Sequence, residues 1–320
     1  MLTRRAVLLC AAAAGLGVAQ SGCTAPPPIV LTLPWVPPAP LPIAGVGTAL
    51  ESWTELAGLA RQLVSNATAW QLTADQLSSA QWLADACDRH RAVLASSDPA
   101  RRQSGVLPSP LAATSAATAK AAYAALTTAL SEVGRDHRRR AIEASGLTSL
   151  LWASLAAFAS TLASGIKTGI TPGVDEPGKE PAALTEHEAR SSILERSHEL
   201  VFGHLLAAAA PGLGENDRGF LVSRAKRWCA VRDSLVELQR EAGLTPAIPP
   251  VAYDLTRPSS AGRALTLAAT LETGMQPQLG SWVVTATEVD RVWAVDALIS
   301  CTRAAARLGA AVPRWPGWPN

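Results

Sequence analysis

Tyrosine and phenylalanine are scarce in this chain, two and three residues among 320, and β-branched residues are thin outside a few short runs. That shortage argues against a β-rich fold, because strands are built largely from those residue types. Ala and Leu take their place, which points to an all-α protein with close helix contacts. Net charge is nearly absent too: 28 Lys and Arg stand against 26 Asp and Glu, a formal +2. No strong electrostatic partner follows, and nucleic acid is not an expected ligand. The sequence also lacks a P-loop, a nucleotide-binding glycine fingerprint, a G-x-S-x-G elbow and a Cys-x-x-Cys pair. Cysteine is sparse; past Cys23 only Cys87, Cys229 and Cys301 remain, too far apart for a zinc pattern. An odd number in an exported protein allows at most one disulfide. Cys229 and Cys301 lie on different helices of one unit and could form it, a buried thiol pair being the equal alternative.

What is present begins with a leader. Arg4 and Arg5 form a charged start, and Ala6 to Ala19 is an apolar run too short to span a bilayer comfortably. The adjacent arginines suit twin-arginine export. Ser21-Gly22-Cys23 then looks like a lipobox, so residues 1–23 are read as signal peptide with Cys23 the lipidated mature N-terminus. Gln20 departs from the aliphatic residue that pattern prefers. The alternative is ordinary cleavage near Gly17-Val18-Ala19, giving a secreted protein. Residues 24–44 are proline-dense and uncharged, an extended tether.

Two stretches of helical periodicity follow, split by a Pro/Gly-rich break from Ser164 to Pro181. They resemble each other. LESWTEL (Leu50 to Leu56) lies over LERSHEL (Leu194 to Leu200), Cys87 over Cys229 and Trp152 over Trp293, in order and at offsets of 141 to 144 residues. Duplication explains that constancy. The expected domains are therefore a helical bundle at 45–166, a linker at 167–183, a second bundle at 184–312 and a tail at 313–320. Helices are predicted over 45–66, 73–97, 111–133 and 145–165, then 184–209, 215–243, 259–286 and 288–308. Thr73 with Gln76 forms a capping-box pattern, Ser259-Ser260 precede a helix, and Gly243 with Pro246 stops one. Gly274 and Pro277 should kink or break the seventh helix. Leu147 to Ile166 carries no charge and could be taken for a membrane span, but its counterpart holds Asp290, Arg291, Asp296 and Arg303, so a buried bundle helix is expected.

The second unit, with LERSHELVFGHLLAAAA, the loop AGLTPAIPPVAYDL, RALTLAATLETG and a Trp-bearing last helix, resembles the actinobacterial ferritin-like domain family of unknown function. That family is common in exported or lipid-anchored proteins. The resemblance covers about 184–312 and implies a ferritin-like four-helix bundle, with the first unit a second one through the repeat. It implies no single activity, so the residues must decide.

SHELVFGHLL is not a zinc-protease helix, because His204 follows His198 by six residues and the rings fall roughly 120° apart. Glu195, His198 and Glu199 do lie within roughly 100° of arc. With Glu272 they are the candidate ligands for iron or manganese. A di-metal bundle needs carboxylates from all four helices and E-x-x-H on two of them. Here the second helix has Arg232-Asp233 and no His, and the last has only Asp290 and Asp296. The first unit has Glu51, Glu55 and His90, with Thr127 or Thr128 opposite Glu272. Glu195 and Glu199 are therefore expected to pair with Arg224, Arg232 or Arg303, with His204 on the outer side.

Asp136 to Arg140 (DHRRR) is expected to serve a helix C-terminus, contact with acidic lipid or envelope polymer being the sharper idea. His187 should be exposed, and the tail tryptophans Trp315 and Trp318 should pack back on a bundle. The expected function is non-enzymatic: a lipid-anchored cell-envelope binding or scaffold module, without cofactor, joined to the membrane through Cys23 and serving an envelope partner. The alternative is a divergent di-metal protein that binds or oxidises iron.

Overall fold

A computed structural model describes residues 42–102, 105–106, 116–167, 169–173 and 179–319. The leader, Cys23 and nearly all of the tether lie outside the described residues. Eight α-helices account for the described architecture, with a 3₁₀ turn at Pro99–Arg101. They are α1 (Val46–Ser65), α2 (Ala74–Leu94), α3 (Ala119–Glu143) and α4 (Gly146–Gly165), then α5 (Glu186–Ala208), α6 (Glu215–Glu241), α7 (Ala261–Thr285) and α8 (Glu288–Arg307). The expectation of an all-α fold is met.

Local chemistry sets the borders. Thr73 caps α2 and exchanges a full capping box with Gln76, and Thr185 does the same for α5 with Glu188. Ser260 caps α7, and Gly243 follows α6 at φ +71°, a left-handed turn that ends the helix. Two expectations fail. α3 starts later than predicted, at the Thr118 cap, and runs ten residues further, because Asp136 binds Arg139 and Arg140 one turn on and keeps the charged stretch helical. α7 passes through Pro277 without a break. Thr273, whose carbonyl loses its donor there, is on the exposed side where water can reach it, and packing on α4, α5 and α8 holds the rest.

In each half the first helix packs on the second and third, and the third on the fourth, the same order of pairing twice. The halves then meet through their fourth helices, α4 against α8, with α7 also on α4. All belong to one compact unit. α4 is long and apolar enough to cross a membrane, but it is the central core helix, with Leu150 to Ala159 all buried. One hydrophobic core runs from Trp53 in α1 to Trp318 in the tail, and a smaller alanine-rich cluster sits at the far end of the second half.

DHRRR is an interhelix knot and not simply a helix terminus. Arg138 forks onto Asp296 of α8 (2.5 and 2.7 Å), and His137 turns inward, 1% exposed. The tail crosses to the first half. The Gly173 N–H donates to the Val312 carbonyl and the Val312 N–H to the Thr171 carbonyl, Arg314 pairs with Asp85, and Trp315 and Trp318 are buried. Gly280 of α7 touches the tail so closely that a Cβ there would lie 1.7 Å from the Gly317 carbonyl oxygen.

Candidate functional site

The second half carries a polar layer across its middle. On α5 the buried stripe Ser197, Leu200, His204 and Ala207 faces inward at helical spacing. On α6 Arg224 and Trp228 are buried one turn apart, on α7 Glu272, and on α8 Cys301. The main core ends at Leu200, Trp228, Leu271 and Cys301, while the alanine cluster begins at Ala207, Leu221, Ala269 and Leu308. Between them stands Glu272, fully buried. Arg224 grips both its oxygens (Nε to Oε1 2.7 Å, Nη2 to Oε2 2.9 Å), and the Trp228 indole donates to Oε1 at 3.1 Å. His204 donates from Nδ1 to the Leu200 carbonyl at 2.7 Å and sets Nε2 3.1 Å from Oε1. Burial alone pushes the Glu272 carboxyl up, but His204 and the Arg224 guanidinium outweigh it and hold the group down at about 2.

The sequence-based candidates do not gather there. Glu195 points to solvent, and Glu199 binds Arg196 on its own helix in place of Arg224, Arg232 or Arg303. His198 is half-buried against Ala247 and Arg232, where burial and the guanidinium push its imidazole down. His204, expected outside, is the histidine that meets Glu272. The reason is register: the stripe through Ser197 and Leu200 reaches His204 two turns after Ser197 and leaves Glu195, His198 and Glu199 on its flank. Among the described residues no group of three or more His, Cys, Asp or Glu could hold a metal ion. The guanidinium of Arg224 stands where iron or manganese would need an anionic ligand. These residues do not fit such a centre.

A second feature adjoins the layer. A cavity of about 1120 Å³ opens between the two halves, with Arg224 and Arg227 of α6 and Arg303 and Arg307 of α8 on one side. Facing them are Asp75 and Ser78 of α2 and Thr161 and Ser164 of α4. Arg224 belongs to both features: its Nη1 donates to Ser300, another cavity residue, at 2.8 Å.

The polar layer and the arginine side of the cavity fall within one matched segment. Residues 189–320 match the family model described as Domain of unknown function (DUF4439). No curated protein and no solved structure matches the chain. The DUF4439 segment takes in α5 from Ala189 onward, α6 to α8, and the tail that packs on the first half.

Outside the DUF4439 segment the first half has a different middle. Glu51, Glu55 and Thr128 are exposed and Thr127 is half-buried, so no carboxylate replaces Glu272. Instead Trp53 donates to His137 Nε2 at 2.9 Å, and His90 donates from Nε2 to the Arg314 carbonyl at 2.9 Å, amid Phe158, Trp152 and Trp315. Burial lowers the His90 imidazole to about 3 and lowers His137 too, against the pull of Asp136. Both halves thus fill their centres with hydrogen-bonded side chains, the first with help from the C-terminal tail.

Cys87, Cys229 and Cys301 are all free. Cys229 and Cys301 are not bonded to each other: Cys301 is buried with its Sγ donating to the Glu272 carbonyl at 2.9 Å, while Cys229 sits half-buried on α6. Burial pushes the Cys87 and Cys301 thiols up, which makes them inert. No sequence pattern announced the Arg224–Glu272 pair; the only signal was an arginine on the buried face of α6 opposite a lone glutamate on α7.

Proposed function

We propose that the chain is an exported, lipid-anchored module of the cell envelope, built from ferritin-like bundles that have lost metal chemistry and act by binding a ligand. The observation that carries this reading is the bidentate grip of Arg224 on Glu272. A cation-binding carboxylate is instead neutralised by the protein's own guanidinium, and a buried pair so satisfied is structural. The cavity beside it supplies a place for a ligand, concave and lined by a few convergent polar groups. The Arg4-Arg5 leader, the Ser21-Gly22-Cys23 sequence and the proline-rich stalk support export and anchoring through Cys23.

Metal analysis and intact mass of the membrane-fraction protein test both parts. The expected result is far less than one iron or manganese per chain, and an N-terminus at Cys23 carrying a diacylglyceryl mass. Stoichiometric metal that disappears in Glu272→Gln would overturn the binding-module reading. Cleavage near Ala19 with unmodified Cys23 would replace anchoring by secretion.

A further inference from the structure

We infer that the cavity between the two halves binds an organic phosphate whose remaining part carries hydroxyl groups. Charge is the first ground. Arg227 and Arg303 have no hydrogen-bond or ion-pair partner among the described residues. Asp296, one of the two acids among the described lining residues, is already forked by Arg138, which leaves Asp75 as the other. Arg303 and Arg307 stand four apart on one face of α8. Like charges at that spacing repel, and a bound anion removes the repulsion. A guanidinium presents its N–H groups as a planar fork that matches phosphate oxygens. Several forks on one lining exceed what a single carboxylate can use.

The orientation is partly set in advance. The Arg307 guanidinium lies 3.8 Å from the centre of the Phe220 ring, so its face is covered and its edge is left for a ligand. The opposite lining differs in kind, with Ser78, Thr161 and Ser164 giving hydroxyls. Ser78 and Ser164 are exposed, so their hydroxyls are open to a ligand in the cavity. The volume is far larger than one phosphate group needs, which leaves room for a polyol between the two linings.

The proposal rests on the reading of the chain as a binding module, but the two can fail separately. The full chain carrying Cys23→Ser is used, so anchoring does not affect the result. Calorimetry with inositol 1-phosphate, with inositol as the uncharged control, and flotation with phosphatidylcholine vesicles with and without phosphatidylinositol separate a soluble source from a lipid headgroup. In either case Arg227→Gln/Arg303→Gln should weaken binding by about tenfold or more. Both side chains are exposed, so helicity should hold. Ser78→Ala/Ser164→Ala should weaken inositol 1-phosphate several-fold and leave inorganic phosphate unchanged. Absence of binding to every probe, or equal affinity in the arginine variant with the fold intact, would overturn the proposal.

Discussion

At the scale of single residues, the interior of this protein is held by side chains that must keep one protonation state. Removing the Glu272 charge leaves Arg224 buried without its anion, which costs about 3–5 kcal/mol. Glu272→Gln should therefore lower the urea midpoint sharply. Arg224→Met/Glu272→Leu, which removes both charges, should cost less than either single change. If the double variant is as unstable as the sum of the singles, the pair is not the coupled unit described. A second prediction concerns acid. The folded His90 imidazole lies at about 3 against an ordinary 6.5, and His137 is lowered as well. The unfolded chain thus binds more protons, so this stability is complete above pH 6.5 and falls as pH drops below it, by about 1.4 kcal/mol per pH unit for His90, with His137 acting in the same direction. Glu272, lowered to about 2 from 4.5, loses its contribution only as pH falls below 4.5. Unfolding measured between pH 7 and 5 should show the histidine slope, and His90→Gln should flatten it while Glu272→Gln should not.

At the scale of the element, two glycines set how closely helices approach, and they should respond differently. A Cβ on Gly203 would meet the end of the Leu271 side chain, which can turn aside; a Cβ on Gly280 would meet the Gly317 backbone, which cannot. Alanine in a helix gains about 1 kcal/mol over glycine, and overpacking costs about 1–3 kcal/mol. Gly203→Ala should be close to neutral, whereas Gly280→Ala should destabilise and loosen the tail, seen as a rise in tryptophan exposure. Helix borders were legible wherever a cap was present, as at Thr73 with Gln76 or at Ser260. The α3 start was not, because an Ala/Thr-rich approach continues the helical pattern until Thr118 turns its side chain to cap. The site was legible in part. Glu272 stood out as a lone carboxylate on an apolar helix, but attention to the paired glutamates of α5 hid His204, whose place follows only from the register of the buried stripe. Arg224 was expected to meet a buried carboxylate, but not Glu272, because that partner lies 48 residues away and no local pattern carries that information.

At the scale of the whole molecule, one core joins both halves, and the tail belongs to the half from which it is most distant in sequence. Trp315→Ala should cost about 3 kcal/mol or more, and far-UV ellipticity and alkylation of Cys229 should report the same midpoint, since a shared core unfolds together. Separate midpoints would mean that the halves melt independently. The contact between His90 and the Arg314 carbonyl spans 224 residues. At about 5–20 residues per second that interval takes roughly 10 to 45 s of translation. Throughout it the ring system around His90 waits on the ribosome without its last neighbour, so the half that is made first is the half that is finished last.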